Sequence, residues 1–125
     1  MFNKVAGYTA EGTASFYADR LHGHSTASGE KYDRHKLTAA HATLPFNTQV
    51  LVTNLKNGKS VVVRVNDRMA RSRHNIIDLS RAAAQEVDMV REGSVTVRLT
   101  EVKKEEAEQQ EQLPVVSEAE AHQIK

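Results

Sequence analysis

Two β-branched runs constrain this chain most. Gln49-Val50-Leu51-Val52-Thr53-Asn54 and Ser60-Val61-Val62-Val63-Arg64-Val65 flank the dipeptide Asn57-Gly58. Asn-Gly tolerates the positive φ angles of a tight turn, so the pattern predicts an antiparallel hairpin. Shorter candidates surround it. Gly12–Tyr17 and Asn75–Leu79 read as strands, and Leu37–His41 as a short strand or turn. Ser94–Val102 alternates apolar and polar residues, as a half-buried strand does. Residues 18–35 read as a loop. Ser80 stands where a helix N-cap is wanted, ahead of a short helix over Arg81–Val87. About six short strands in about 90 residues favour a closed or nearly closed barrel, which removes exposed sheet edges.

The length of 125 residues fits one domain. Cysteine is absent, which excludes a disulfide scaffold, a thiol nucleophile and a cysteine-ligated zinc site. No run of about 18 apolar residues is present to span a membrane. The start, Met1–Gly7, has no apolar stretch and is expected to be a mature or trimmed end rather than a signal peptide. The net charge of +1 hides an asymmetry: residues 1–102 carry +4 and residues 103–125 carry −3. Residues 103–125 lack aromatic side chains and are rich in Glu and Gln. They are expected to form a disordered tail, since they bury too little apolar surface to offset ordering entropy. The expected organisation is an extension over 1–10, a β body over 11–102 and an acidic tail over 103–125.

Three polar segments carry candidate chemistry. The loop His22–Glu30 offers Glu30 beside small residues and glycines that let a ligand approach. Glu30 reads either as a groove carboxylate or as a solvated loop side chain. Thr38-Ala39-Ala40-His41 ends in a histidine that reads as a base, an orienter of a carboxylate, or a hydrogen-bonded core group. Val63–Arg68 delivers Asn66, Asp67 and Arg68 at the end of a strand, a rigid mount for catalytic groups. Asp67 is either paired with Arg68 in a structural bridge or partly desolvated and able to hold a proton. Asp78 precedes the helix cap and is assigned to turn or helix-terminus hydrogen bonding. No zinc spacing, phosphate loop or Gly-x-Ser-x-Gly elbow occurs, so no metal or cofactor is expected. The aromatic share of 5% argues against a nucleic-acid reader.

Taken in order, these segments resemble the rare lipoprotein A (RlpA) family. The resemblance rests on Gly12–Tyr17, His22-Gly23, Thr26–Glu30, Leu37–His41 and Leu44-Pro45. It continues through Val52–Leu55, Asn57-Gly58, Val63–Arg68 and Ile77–Ser80, and spans roughly residues 11–102. It implies a mainly β fold: a six-stranded double-psi β-barrel with one or two short helices. It also implies lytic transglycosylase action on peptidoglycan glycan strands stripped of peptide, in the cell envelope. By the same resemblance Asp67 is the acid/base, Glu30 the second carboxylate and His41 its support. Tyr17, His22, Asn66 and Arg68 are groove contacts. The bond to be broken needs a protonated carboxyl at the leaving oxygen. The substrate's own C6 hydroxyl then attacks, giving a 1,6-anhydro product without consuming water. The alternative is a non-catalytic glycan-binding or septal scaffold module on the same barrel. The sequence departs from the family pattern at Met69–Arg73, where Gly-Pro and an aromatic are usual, and at Phe16, where tryptophan is usual.

Overall fold

The computed structural model describes residues 7–103. The acidic stretch beyond Lys103, and the first six residues, lie outside the described residues. Six strands close on themselves: β1 (Thr9–Phe16), β2 (Thr38–Ala40), β3 (Gln49–Asn54), β4 (Ser60–Asp67), β5 (Asn75–Leu79) and β6 (Val95–Val102). Helix α1 spans Arg81–Glu86, and a 3-10 turn spans Asp19–Leu21. The barrel order is β1-β5-β2-β4-β3-β6. Neighbours pair antiparallel except β1 with β5 and β2 with β4, which run parallel. This is the closed six-stranded barrel expected. β1 starts at Thr9, ahead of the expected boundary, because β6 supplies a partner that far: Thr9 opposes Thr100.

Alternation builds the core. In β3 every second residue is buried, and in β6 Val95, Val97 and Leu99 face inward while Thr96 and Arg98 face out. Val50, Val52, Val63, Val65, Ile77, Leu79, Val97 and Leu99 fill the interior, with Ala83, Ala84, Val87 and Met89 packed into the same cluster. The β3–β4 connection runs from Leu55 to Lys59, between the strand ends expected. Gly58 has φ 81°, and Asn54 and Asn57 both donate to the Val87 carbonyl, which draws the loop toward the helix end. Among the described residues no helix is long and apolar enough to cross a membrane.

Two junctions position the strand ends that matter. Ser80 is fully buried and its Oγ accepts from Ala83 N at 3.2 Å and from Thr38 N at 3.4 Å. It therefore caps α1 and anchors the start of β2 together. β2 then shifts register between Ala39 and Ala40, which sets Ala40 opposite Asp67 on β4 and opposite Asp78 on β5.

Candidate active site

Asp67 ends β4, half-buried, and three donors converge on its carboxylate. The Tyr17 hydroxyl donates to Oδ2 at 2.5 Å. The backbone amides of Ala27 and Arg68 each donate to Oδ1 at 2.8 Å. The Arg68 guanidinium turns away instead, donating to the His41 carbonyl and lying 4.3 Å from the Phe46 ring centroid. The structural Asp67–Arg68 bridge, one of the two readings of Asp67, does not form. Tyr17 leaves β1 beside the site and stacks on Tyr32, ring centroids 4.2 Å apart. Burial, and then the hydrogen bond to Asp67, push the Tyr17 hydroxyl well above the ordinary phenol range. Tyr17 therefore remains a donor.

Glu30 ends the loop whose Ala27 meets Asp67. Residues 26–30 close by Thr26 N donating to the Glu30 carbonyl at 2.7 Å, and Ala27 of that loop is the residue that touches Asp67. The Glu30 carboxylate accepts two parallel bonds from Arg64, at 2.8 and 3.0 Å, and a third from Asn66 Nδ2 at 2.9 Å. These bonds, from Arg64 first and then Asn66, hold its pKa down to about 2. Glu30 is thus a fixed anion, and its charge is largely met by Arg64. Mutual repulsion that would raise the proton affinity of one carboxylate does not operate on Glu30.

His41 goes elsewhere. Its backbone amide donates to the Asp67 carbonyl at 3.1 Å, so the main chain ties it to the site. Its ring is buried and touches neither carboxylate. Nδ1 accepts from Thr43 N and Leu44 N, each at 3.1 Å, which assigns the proton to Nε2, 3.2 Å from the Tyr8 hydroxyl. Burial, then the charge of Arg68, lowers its pKa. A side-chain role in orienting Asp67 or Glu30 has no direct bond to support it. The ring matches the core reading: it shapes the turn after β2.

His22 is exposed at the rim, where its Nδ1 accepts from Arg34 N at 3.1 Å and its ring lies edge-on to Tyr32. Among the described residues no group of three or more His, Cys, Asp or Glu side chains gathers as a metal site. Asp78 is not a helix-terminus group. It bonds Ser15 on β1 and Asn75 on its own strand, because its register places it beside Ser15. Sequence reasoning missed Arg64, although it sits two residues before Asn66 on a strand and so shares its face. It also missed Tyr32, which is 2% exposed inside a segment read wholly as loop. A cleft of about 430 Å³ is lined by Arg64 together with Asn47, Gln49 and Lys103.

The arrangement thus combines a half-buried carboxylate held by neutral donors, Asp67, with a second carboxylate paired to Arg64, Glu30. The family model described as lytic transglycolase matches residues 9–99. The chain is 50% identical over 100 residues to the endolytic peptidoglycan transglycosylase RlpA of Neisseria meningitidis, covering 80% of this chain and 42% of that protein. It is 52% identical over 95 residues to the protein of that name from Campylobacter jejuni, covering 76% and 34%. The chain thus spans less than half the length of these curated relatives. Among solved structures it resembles a Streptomyces papain inhibitor, with TM-score 0.62, 24% identity, and coverage of 77% and 96%. It also resembles an expansin of Clavibacter michiganensis, with TM-score 0.63, 19% identity, and coverage of 78% and 52%. These two likenesses concern the fold alone.

Proposed function

The chain belongs to the RlpA family of double-psi β-barrel lytic transglycosylases, and from that premise we propose that it cleaves the β-1,4 bond between N-acetylmuramic acid and N-acetylglucosamine in peptide-stripped glycan strands of the cell envelope. The observation that carries this reading is the docking of the Thr26–Glu30 loop on Asp67. It leaves Asp67 held by neutral donors rather than locked to a cation, beside a second carboxylate of fixed charge.

In this reading Asp67 gives its proton to the leaving glycosidic oxygen as the bond to the anomeric carbon breaks. The oxocarbenium-like centre is then attacked by the C6 hydroxyl of the same muramyl residue, whose proton returns to Asp67. The products are a 1,6-anhydro-muramyl end and a new free hydroxyl on the neighbouring sugar, and Asp67 ends protonated as it began. Tyr17 keeps Oδ2 oriented. Glu30, clamped by Arg64 and Asn66, presents a fixed anion to sugar hydroxyls. Arg68 and His22 flank the strand, and His41 holds the turn against which Asp67 is built.

The test is digestion of purified peptide-stripped sacculi followed by mass spectrometry. Anhydro-ended fragments are expected from the wild type and none from Asp67→Asn. Co-sedimentation with sacculi but no anhydro product from folded wild type would replace this reading with the non-catalytic binding module.

A further inference from the structure

The segment after Asp67 carries four basic side chains in seven residues, Arg68, Arg71, Arg73 and His74, and no acidic one. All four are exposed. Both ends of the segment are fixed. Arg68 is held over Phe46 and on the His41 carbonyl. At the other end the His74 carbonyl accepts from Thr13 N at 2.8 Å, and Ser72 Oγ accepts from the amides of His74 and Asn75. Between these anchors Arg71 and Arg73 project, and neither forms an ion pair among the described residues. Two exposed guanidinium groups two residues apart, with no ion pair among the described residues, make an anion the natural partner.

The loop borders a second cleft, of about 190 Å³, lined by Tyr8, His41, Thr43, Arg71, Ser72 and Asn75. Its walls are rich in hydroxyl and amide groups, as a sugar requires. Asn75 Nδ2 donates to Ser15 and Asp78, while its Oδ1 has no partner. His41, whose backbone amide donates to the Asp67 carbonyl at 3.1 Å, lines this cleft, so the cleft adjoins the end of β4 that carries Asp67.

A muramyl residue bears a lactyl group whose carboxyl is an amide when a peptide stem is attached. When the stem has been removed, that carboxyl is a free carboxylate held close to the sugar ring. We propose that Arg71 and Arg73 form a recognition site for this lactyl carboxylate, so that the loop selects bare strands over substituted ones. The planar fork of arginine suits a carboxylate. The proposal rests on the glycan-strand reading above.

The experiment is titration calorimetry of the full chain with peptide-free glycan strands released from sacculi by amidase, either as the free acid or after carbodiimide conversion of the lactyl carboxyls to amides. Wild type is expected to bind the acid form about three- to tenfold more tightly, the range of one or two exposed ion pairs. The preference should shrink in salt. Arg71→Gln with Arg73→Gln should bring it below about twofold at an unchanged melting temperature, and Arg71→Lys with Arg73→Lys should restore part of it. Equal binding of both polymers by wild type, or a preference that survives the double Gln substitution, overturns the proposal. So does an equal effect of that substitution on peptide-bearing strands, since the anion would then belong to the stem. Anhydro-product formation in the same samples reads the chemistry separately. Preference without product removes the lyase reading and leaves recognition standing, and product without preference does the reverse.

Discussion

At the scale of single residues, the site divides by charge. Tyr17 stays protonated, since burial and Asp67 both raise its pKa, so it can only donate to Oδ2. Tyr17→Phe removes that one donor and leaves the ring stack on Tyr32. The expected result is a fall in kcat of about tenfold to a hundredfold with KM little changed, measured by release of anhydro products. Glu30 behaves differently. It is ionised down to about pH 2, so it does not titrate near neutral pH. Glu30→Gln should therefore lower activity by a similar factor at every pH above about 5, without moving either limb of the pH profile. A shifted limb would mean that Glu30 itself exchanges a proton in turnover. Asp67 was legible as the end of a valine-rich strand, and Glu30 as a carboxylate among small residues. Their partners were not. Arg64 and Tyr32 act across 34 residues of chain and from within a loop, and local pattern carries no information about such contacts.

At the scale of elements, periodicity gave most strands, because alternation survives wherever one face is buried. It could not give pairing. The parallel pairs β1–β5 and β2–β4, and the register shift inside β2, follow from closure of the whole barrel. Close approaches are equally hidden. A Cβ on Gly12 would lie 2.8 Å from Ile76 Cγ2 and 3.1 Å from the His74 carbonyl, so β1 and the entry to β5 pack in the space this glycine leaves. Gly12→Ala should destabilise the fold by about 1–3 kcal/mol in urea melts. It should also weaken the preference for free lactyl carboxylates, because His74 anchors the basic loop. Ser80 was legible as a cap, but its second bond, to Thr38 N, was not. Ser80→Ala orphans two buried amides, one starting α1 and one starting β2. A loss of about 2–3 kcal/mol is expected, above the roughly 1 kcal/mol of an ordinary cap. A loss no larger than an ordinary cap would show that Thr38 N finds another partner.

At the scale of the whole molecule, the same groups write a signature into stability against pH. His41 is neutral and buried, with its unprotonated Nδ1 accepting two backbone amides. Its folded pKa lies below the unfolded value of about 6.5. A depressed pKa contributes stability that is complete above the unfolded pKa and is lost as pH falls toward the folded one, because protonation must break both amide bonds. Glu30 follows the same sign in a lower window, from its ordinary value of 4.5 down to about 2. Its exposure, 42% for the side chain, keeps the effect small. The melting temperature should therefore fall in two stages on acidification, the first beginning near pH 6.5 and the second below about 4.5. His41→Asn separates them. An asparagine oxygen can accept the same i+2 and i+3 amides but does not titrate. This variant should lose the first stage, keep the second, and melt above His41→Ala at neutral pH, where the alanine leaves two amides unpaired at a cost of about 2–4 kcal/mol. If the first stage persists in His41→Asn, the pH dependence comes from another histidine and the turn after β2 does not depend on a neutral ring. If it disappears while anhydro products still form, His41 serves the site through the backbone it folds rather than through a proton it carries.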